Sequence, residues 1–231
     1  MGSHIVVTAD DLVRSDSPVS SILPDYHASE DSIAGRPPHY SRHNRPVNPI
    51  SYSFTNWGSN FMLLVPPSNA SEMEPSYKIS VSLNLNPFLP ISFVTKVEMV
   101  LTEDESEDVF VGEFEVSLNQ TRGVLTMIRA PTRLSNVLSS VDASRGHWLW
   151  THGNVQLRWD CRTRLEDGSP MCICYGLDRL SSQLATFVPP PMLASPPLPA
   201  AVFTVFPDGH EFFEHILMSM LVVQRKMTML L

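Results

Sequence analysis

Apolar and polar residues alternate along most of the chain after residue 50, and this pattern predicts a protein built mainly of β-strands. The two clearest segments lie within residues 77–86 and 155–165. About ten such segments, separated by turn-forming residues, are typical of an antiparallel sandwich or barrel. The side chains expected to face the interior are Tyr77, Ile79, Val81, Leu83 and Leu85 in the first segment, and Val155, Leu157, Trp159, Cys161 and Leu165 in the second.

The last apolar segment is helical in character. Over about residues 209–228 it is apolar on nearly every side, and a helix without a polar face has to be buried. Asp208 and Glu211 have the spacing of a capping box, and Arg225 and Lys226 stand where the helix dipole favours cations. The apolar run is shorter than the about 20 residues that cross a bilayer. We therefore expect a central helix enclosed by a closed sheet.

Residues 1–49 differ from the rest of the chain. They are rich in proline and serine and have no sustained apolar periodicity, which predicts a disordered tail followed by a domain at 50–231. Within that domain, the acidic run 102–108 is expected to be a solvated hairpin loop. The proline-rich stretch 190–199 is expected to be a surface loop, and the alternative is a ligand for SH3 or WW domains.

The tail contains the sequence Pro37-Pro38-His39-Tyr40, which is a PPxY motif. Prolines pre-set the polyproline II conformation, and WW domains bind such segments in aromatic grooves, with Tyr40 as a specificity contact. Leu23-Pro-Asp-Tyr26 is a weaker LPxY relative upstream. The motif predicts a WW-domain protein as partner, for example a ubiquitin ligase. The alternative interpretation is a proline-rich spacer.

Charge and cysteine content limit the partners and the compartment. The formal net charge is −8 with only three lysines, whereas nucleic-acid binding needs a surplus of Lys and Arg, so we expect no nucleic-acid partner. The number of cysteines, three, is odd, and the first residues show no apolar leader. Both features predict reduced thiols in an intracellular, cytoplasmic protein.

Cysteines and tryptophans are the next candidates for ligand-binding residues. Cys172 and Cys174 share one strand face and could be drawn as a zinc site with Cys161, His147 and His152. Because the spacing matches no Cys-x-x-Cys pair, buried free cysteines are the favoured interpretation, and no metal or cofactor is expected. Three tryptophans could form an aromatic surface that binds a ligand, namely Trp148, Trp150 and Trp159. Their alternating strand positions favour a place in the core instead.

One basic cluster alternates with the apolar positions of the second clear strand. It comprises Arg158, Arg162 and Arg164, interrupted by Asp160. Because arginine pairs well with phosphate, this cluster is the candidate site for an anion or an anionic lipid. The favoured alternative is a solvated outer face whose charges contribute little.

Several segments resemble the tubby C-terminal-like group, which includes tubby proteins, phospholipid scramblases and plant LURP-one-related proteins. They are Tyr77-Lys-Ile-Ser80, Val111-Gly-Glu-Phe-Glu115, His147-Trp-Leu-Trp150, Leu157-Arg-Trp-Asp160 and the closing segment from Glu214 to Lys226. The chain is most similar to a fungal family of unknown function in this group, over about residues 50–228. The resemblance implies a closed antiparallel β-barrel of about twelve strands around a buried hydrophobic C-terminal helix. It also implies that lipid binding has to be considered, because tubby domains bind phosphoinositides.

These observations favour a non-enzymatic intracellular adaptor, in which a tubby-like barrel carries a WW-binding tail and reaches membranes at most peripherally. The first alternative is a peripheral membrane protein that binds lipid directly, in a phosphoinositide-like or scramblase-like manner. The second alternative is an enzyme whose site forms only in the folded geometry. No sequence motif for a nucleophile, a metal protease or a phosphate loop supports that last alternative.

Overall fold

The computed structural model describes residues 46–55, 60–70, 75–100, 108–119, 122–127, 130–141, 146–177, 182–191 and 200–228. The predicted tail up to residue 45, with its PPxY motif, lies outside these residues, as do positions 102–107 and 192–199. The described residues are mainly β-strand, with one long helix near the end of the chain. The first strand begins at Ile50, where the sequence pattern changes.

Thirteen strands are present in the described part of the chain. Most follow the predicted segments, because alternating Val, Ile, Phe, Trp and Thr residues suit a pleated surface with one buried face. The strands are β1 (Ile50–Phe54), β2 (Phe61–Val65), β3 (Ser76–Asn84), β4 (Ser92–Val100), β5 (Val109–Ser117), β6 (Gly123–Met127), β7 (Ala130–Arg133), β8 (Leu138–Ser140), β9 (His147–His152), β10 (Val155–Arg164), β11 (Pro170–Gly176), β12 (Gln183–Val188) and β13 (Val202–Val205).

All the strands pair antiparallel in one sheet, in the order β7-β6-β5-β4-β3-β2-β1-β13-β12-β11-β10-β9-β8. The predicted closed barrel is wrong, because the edge strands β7 and β8 do not pair with each other. A single helical turn, α1 (Leu134–Val137), joins the two edges and contacts β6, β7, β8 and β9. In addition, Pro131 of β7 lacks the N–H group that a further strand would need.

The long helix, α2 (Phe213–Thr228), packs against the inner face of the sheet, so the predicted burial of this helix is confirmed. Its first residue, Phe213, lies between strands that are distant in sequence. The Phe213 ring centroid is 5.1 Å from that of Tyr52 on β1 and 4.9 Å from that of Tyr77 on β3. It also lies 6.0 Å from the ring of Phe203 on β13. The start of α2 therefore contacts three strands in the middle of the sheet.

The middle of α2 contacts strands from both halves of the sheet. A side chain at Gly112 of β5 would meet the Met218 methyl group at 3.0 Å, so glycine allows the close approach of strand and helix. On the other side, Trp159 of β10 donates its Nε1–H to Ser219 Oγ at 2.9 Å. The sheet thus curves around the helix although its edges stay unpaired. No helix in the described residues has the length and apolar character required to cross a membrane.

A 3₁₀ helix (Pro207–Phe212) precedes α2, and the predicted capping box is wrong. Proline starts this turn, and Asp208 accepts a hydrogen bond from Ser182 Oγ at 3.3 Å instead of capping α2. The 3₁₀ helix lies so close to β12 that a Cβ atom on Gly209 would collide with the Leu184 carbonyl oxygen. Glycine at this position therefore allows the entry of α2 into the interior.

In two predicted strands, the burial of the side chains expected to face inward ends earlier along the strand than the alternation indicates. Tyr77 and Ile79 are buried, but Leu83 is 52% exposed and Leu85 is 66% exposed. The reason is that α2 ends near this edge of the interior and leaves these positions uncovered. Leu165, which follows β10, is also exposed.

Replacing Leu217 with alanine should lower the free energy of unfolding by about 2–5 kcal/mol, because a fully buried leucine leaves a cavity. The matched change at an exposed leucine, Leu85→Ala, should lower it by less than about 0.5 kcal/mol. Urea denaturation followed by circular dichroism measures both values. Equal effects of the two substitutions would contradict the central position of α2.

Replacing Ser219 with alanine should cost about 1–3 kcal/mol, because the buried Trp159 N–H loses its acceptor. In a double-mutant cycle with Trp159→Phe, the two changes should be less than additive, with a coupling of about 1 kcal/mol. The free energies of unfolding of the four proteins provide the coupling. Strict additivity would show that this hydrogen bond does not join β10 to α2.

Candidate functional site

The predicted anion site on β10 is already occupied in part by a carboxylate. Arg162 donates two hydrogen bonds to Asp160, from Nε to Oδ1 at 2.8 Å and from Nη2 to Oδ2 at 2.5 Å. These hydrogen bonds lower the pKa of Asp160 to about 2, so the pair is ionised at neutral pH. An anion that binds Arg162 has to compete with this carboxylate.

The other two arginines of the cluster are also engaged by groups of the sheet. The guanidinium carbon of Arg158 lies 5.0 Å from the ring centroid of Tyr175 on β11, within cation–π range. Arg164 donates from Nη1 to the Gly168 carbonyl at 3.3 Å. The alternation breaks between Asp160 and Thr163, where the pairing with β11 shifts by one residue, so Arg164 pairs with Pro170 and does not share the face of Arg158. The neighbours of the three arginines reduce the capacity left for a phosphate group.

All three cysteines are free and buried, which confirms the favoured interpretation of these residues. The pKa of Cys161 is raised by its hydrogen bond with Cys172 and by burial, and burial raises the pKa of Cys174. For Cys161 and Cys174 the neutral thiol is therefore the stable form, whereas a nucleophile or a metal ligand has to be a thiolate. Within the described residues, no three His, Cys, Asp or Glu side chains are placed to hold a metal ion.

The three tryptophans occupy core positions, as predicted. Trp150 and Trp159 are fully buried, and Trp148 is buried beside them. Alternate positions on β9 and β10 place these rings on the inner face, where they fill the space between the sheet and α2. They therefore contribute to packing and present no ligand platform at the surface.

Sequence reasoning missed a pair of histidines where α2 begins. His152 ends β9 and His215 lies in the first turn of α2, with ring centroids 5.5 Å apart and planes at 47°. The Nδ1 atoms of both rings are buried and have no hydrogen-bond partner among the described residues. Because the two residues are far apart in the sequence and belong to different elements, no local pattern could have indicated their contact.

The environment keeps both imidazoles neutral. Burial lowers the pKa of His152, and burial together with the neighbouring His152 lowers the pKa of His215 to about 4. Glu214, on the same turn of α2, has a raised pKa because it is partly buried. The start of the helix thus contains groups that resist ionisation, although their side chains are only partly buried.

A cleft of about 220 Å³ opens between the 3₁₀ helix and the neighbouring ends of β10, β11 and β12. Sites for small molecules typically have volumes of about 300–1,000 Å³, so this cleft is too small to enclose a drug-sized ligand. Two carboxylates and several apolar side chains form its walls. The lining residues are Gln156, Leu157, Gly176, Leu184, Asp208, Glu211 and Phe212.

Comparison of the chain with protein-family models, with curated proteins and with solved structures yields no match in any of the three. The resemblance to tubby C-terminal-like domains therefore stays a hypothesis that depends on the quoted sequence segments.

The stability of the protein should fall as the pH is lowered from about 6.5 towards about 4, by on the order of 2–3 kcal/mol from His215 alone. In this window the unfolded chain binds a proton at His215 that the folded chain does not bind. Glu214 acts in the opposite direction, because its raised pKa favours the folded state as the pH falls. A comparison with a variant therefore isolates the histidine.

The His215→Gln variant should show a smaller decrease in the free energy of unfolding across the same pH window. Urea titrations of both proteins at several pH values provide the two slopes. Identical slopes would show that His215 is protonated in the folded protein as easily as in the unfolded chain.

Proposed function

We propose that this chain is a non-enzymatic intracellular adaptor, in which the sheet-and-helix domain is a stable scaffold and the tail recruits a WW-domain protein. The observation that carries the proposal is the PPxY sequence formed by Pro37, Pro38 and Tyr40. A WW-containing ubiquitin ligase is the partner class that such a motif suggests.

The binding energy of such a motif comes from a few side chains in an extended conformation. Pro37 and Pro38 restrict the backbone before binding, so less entropy is lost when they enter an aromatic groove. Tyr40 then adds an aromatic contact with a polar tip, the type of side chain that dominates binding hot spots. The first strand of the domain begins at Ile50, so only a short stretch of chain separates the motif from the domain.

The chemistry of the described domain supports a scaffold role. The pKa values of the Cys161 and Cys174 thiols are raised, that of Cys161 by a hydrogen bond with Cys172 and by burial and that of Cys174 by burial, and the imidazoles of His152 and His215 are neutral. Its interior is filled by large aromatic and aliphatic side chains and by α2. Three buried cysteines without disulfides suit a reducing, intracellular compartment.

Direct lipid binding through Arg158, Arg162 and Arg164 is the alternative function. We rank it second, because Asp160 competes for Arg162 and the other two side chains have partners on the sheet. Membership of the tubby C-terminal-like group remains part of the proposal. The buried C-terminal helix supports it, and the unpaired edge strands are a departure from it.

Binding of the full-length chain to a panel of isolated WW domains tests the adaptor function. We expect dissociation constants on the order of micromolar for at least one domain, and a loss of roughly tenfold or more in Tyr40→Ala. The matched control is His39→Ala, which changes the variable position of the motif and should bind like the unmodified chain.

Isothermal titration or fluorescence anisotropy measures these affinities. If no domain binds, or if His39→Ala and Tyr40→Ala weaken binding equally, the segment is a spacer and the adaptor function is wrong.

A further inference from the structure

Large apolar side chains are exposed together at one end of β3, β4 and β5. Phe88, at the tip of the β3–β4 loop, is 92% exposed, and Leu85 in the same loop is 66% exposed. We call this surface the apolar tip. It consists of Leu83, Leu85, Phe88, Ile91 and Leu118. Several exposed apolar side chains at one end of a sheet form a candidate surface for contact with another apolar phase.

The apolar tip is held in a defined conformation by local hydrogen bonds. The Asn84 side chain accepts from the backbone N–H of Asn86 at 3.1 Å, and the Asn86 side chain accepts from the N–H of Phe88 at 3.0 Å. The Leu118 N–H donates to the Ile91 carbonyl at 3.0 Å, which joins the loop to the end of β5. The protrusion is therefore formed before any contact, and its insertion costs little further backbone entropy.

Basic side chains lie beside the apolar tip. The last turn of α2 carries Arg225 and Lys226, and the guanidinium carbon of Arg225 lies 4.2 Å from the ring centroid of Phe93, the second residue of β4. Arg122, which is exposed, follows the turn after β5 at the same end of the strands. These cations belong to the same end of the sheet as the apolar side chains, an arrangement that is also found in surfaces that bind the interface of an anionic bilayer.

Acidic groups near this end are either engaged or on another part of the sheet. Glu115 of β5 accepts hydrogen bonds from Asn84 and Ser92. Glu166 and Asp167 stand in the β10–β11 turn, which lies at the same end of the strands but in the other half of the sheet, and Asp167 accepts hydrogen bonds from Ser169. The carboxylates of Asp208, Glu211 and Glu214 belong to the opposite, N-terminal end of α2.

We propose that the apolar tip docks onto the surface of a membrane that contains anionic lipids. Phe88 and Leu85 enter the boundary between headgroups and acyl chains, while Arg122, Arg225 and Lys226 pair with lipid phosphate or carboxylate groups. The chain as a whole is acidic, so an anionic membrane attracts mainly this basic end. Because α2 has carboxylates near its first turn and cations in its last turn, the membrane's field turns the basic end of the domain towards the lipid surface. The surface is distinct from the arginine cluster on β10 and is independent of the PPxY motif.

Vesicle co-sedimentation of the full chain tests this proposal. Vesicles of phosphatidylcholine alone are compared with vesicles in which about a third of the lipid is phosphatidylserine. We expect binding to the anionic vesicles, weaker binding to the neutral ones, and a decrease as the salt is raised from about 0.1 M to about 0.5 M. The double variant Leu85→Ser/Phe88→Ser should lose roughly tenfold or more in partitioning, since it removes two inserting side chains.

The matched control is Val47→Ser, because Val47 is 90% exposed but precedes β1 and lies away from the apolar tip. It should bind like the unmodified chain, and circular dichroism should show that every variant is folded. Lys226→Gln should weaken binding to the anionic vesicles only.

Three results would overturn the proposal. The first is an absence of binding by the unmodified chain to anionic vesicles, and the second is equal binding by the double variant. The third is self-association that the double variant abolishes while vesicles have no effect, measured by analytical ultracentrifugation, since this would assign the surface to a second copy of the chain.

Discussion

Burial of α2 against the inner face of the sheet is the interaction on which the rest of the structure depends. The strands form one sheet, and a sheet with one apolar face needs a second layer to cover it. In the described residues that layer is the helix, and this explains why Leu217 and Met218 are both fully buried although they point in directions about 100° apart around the helix axis. The apolar character of the helix and the curvature of the sheet are therefore two aspects of one packing requirement.

Apolar contacts alone do not determine the rotation of a helix, because they have little directionality. The hydrogen bond between Trp159 and Ser219 supplies a directional contact in the interior. At the entrance of the helix, Gly209 allows the 3₁₀ turn to approach the Leu184 carbonyl. These two contacts restrict how α2 can sit inside the sheet. The neutral His215 side chain in the first turn of α2 lies beside His152 of β9 without introducing charge.

The alternation of residues was sufficient to predict most strands and the buried helix, since these elements follow from local periodicity. It could not predict the failure of β7 and β8 to pair, because closure depends on the single turn α1 between them. The exposure of Leu83 and Leu85 was missed for a related reason: alternation reports which side of a strand faces inward, and not where the covering helix ends. At the candidate anion site, alternation could not predict the shift in pairing between Asp160 and Thr163, and the double hydrogen bond from Arg162 to Asp160 is likewise a property of the folded side chains.

The order of the elements along the chain has a consequence for biosynthesis. A ribosome completes all the described strands before it makes α2, so the nascent sheet lacks its inner layer while the last segment is translated. At about 5–20 residues per second, this interval lasts on the order of seconds. During that time Trp150, Trp159 and the other inner-face side chains are open to nascent-chain chaperones and to neighbouring polysomes, and their protection begins only when the helix emerges from the exit tunnel.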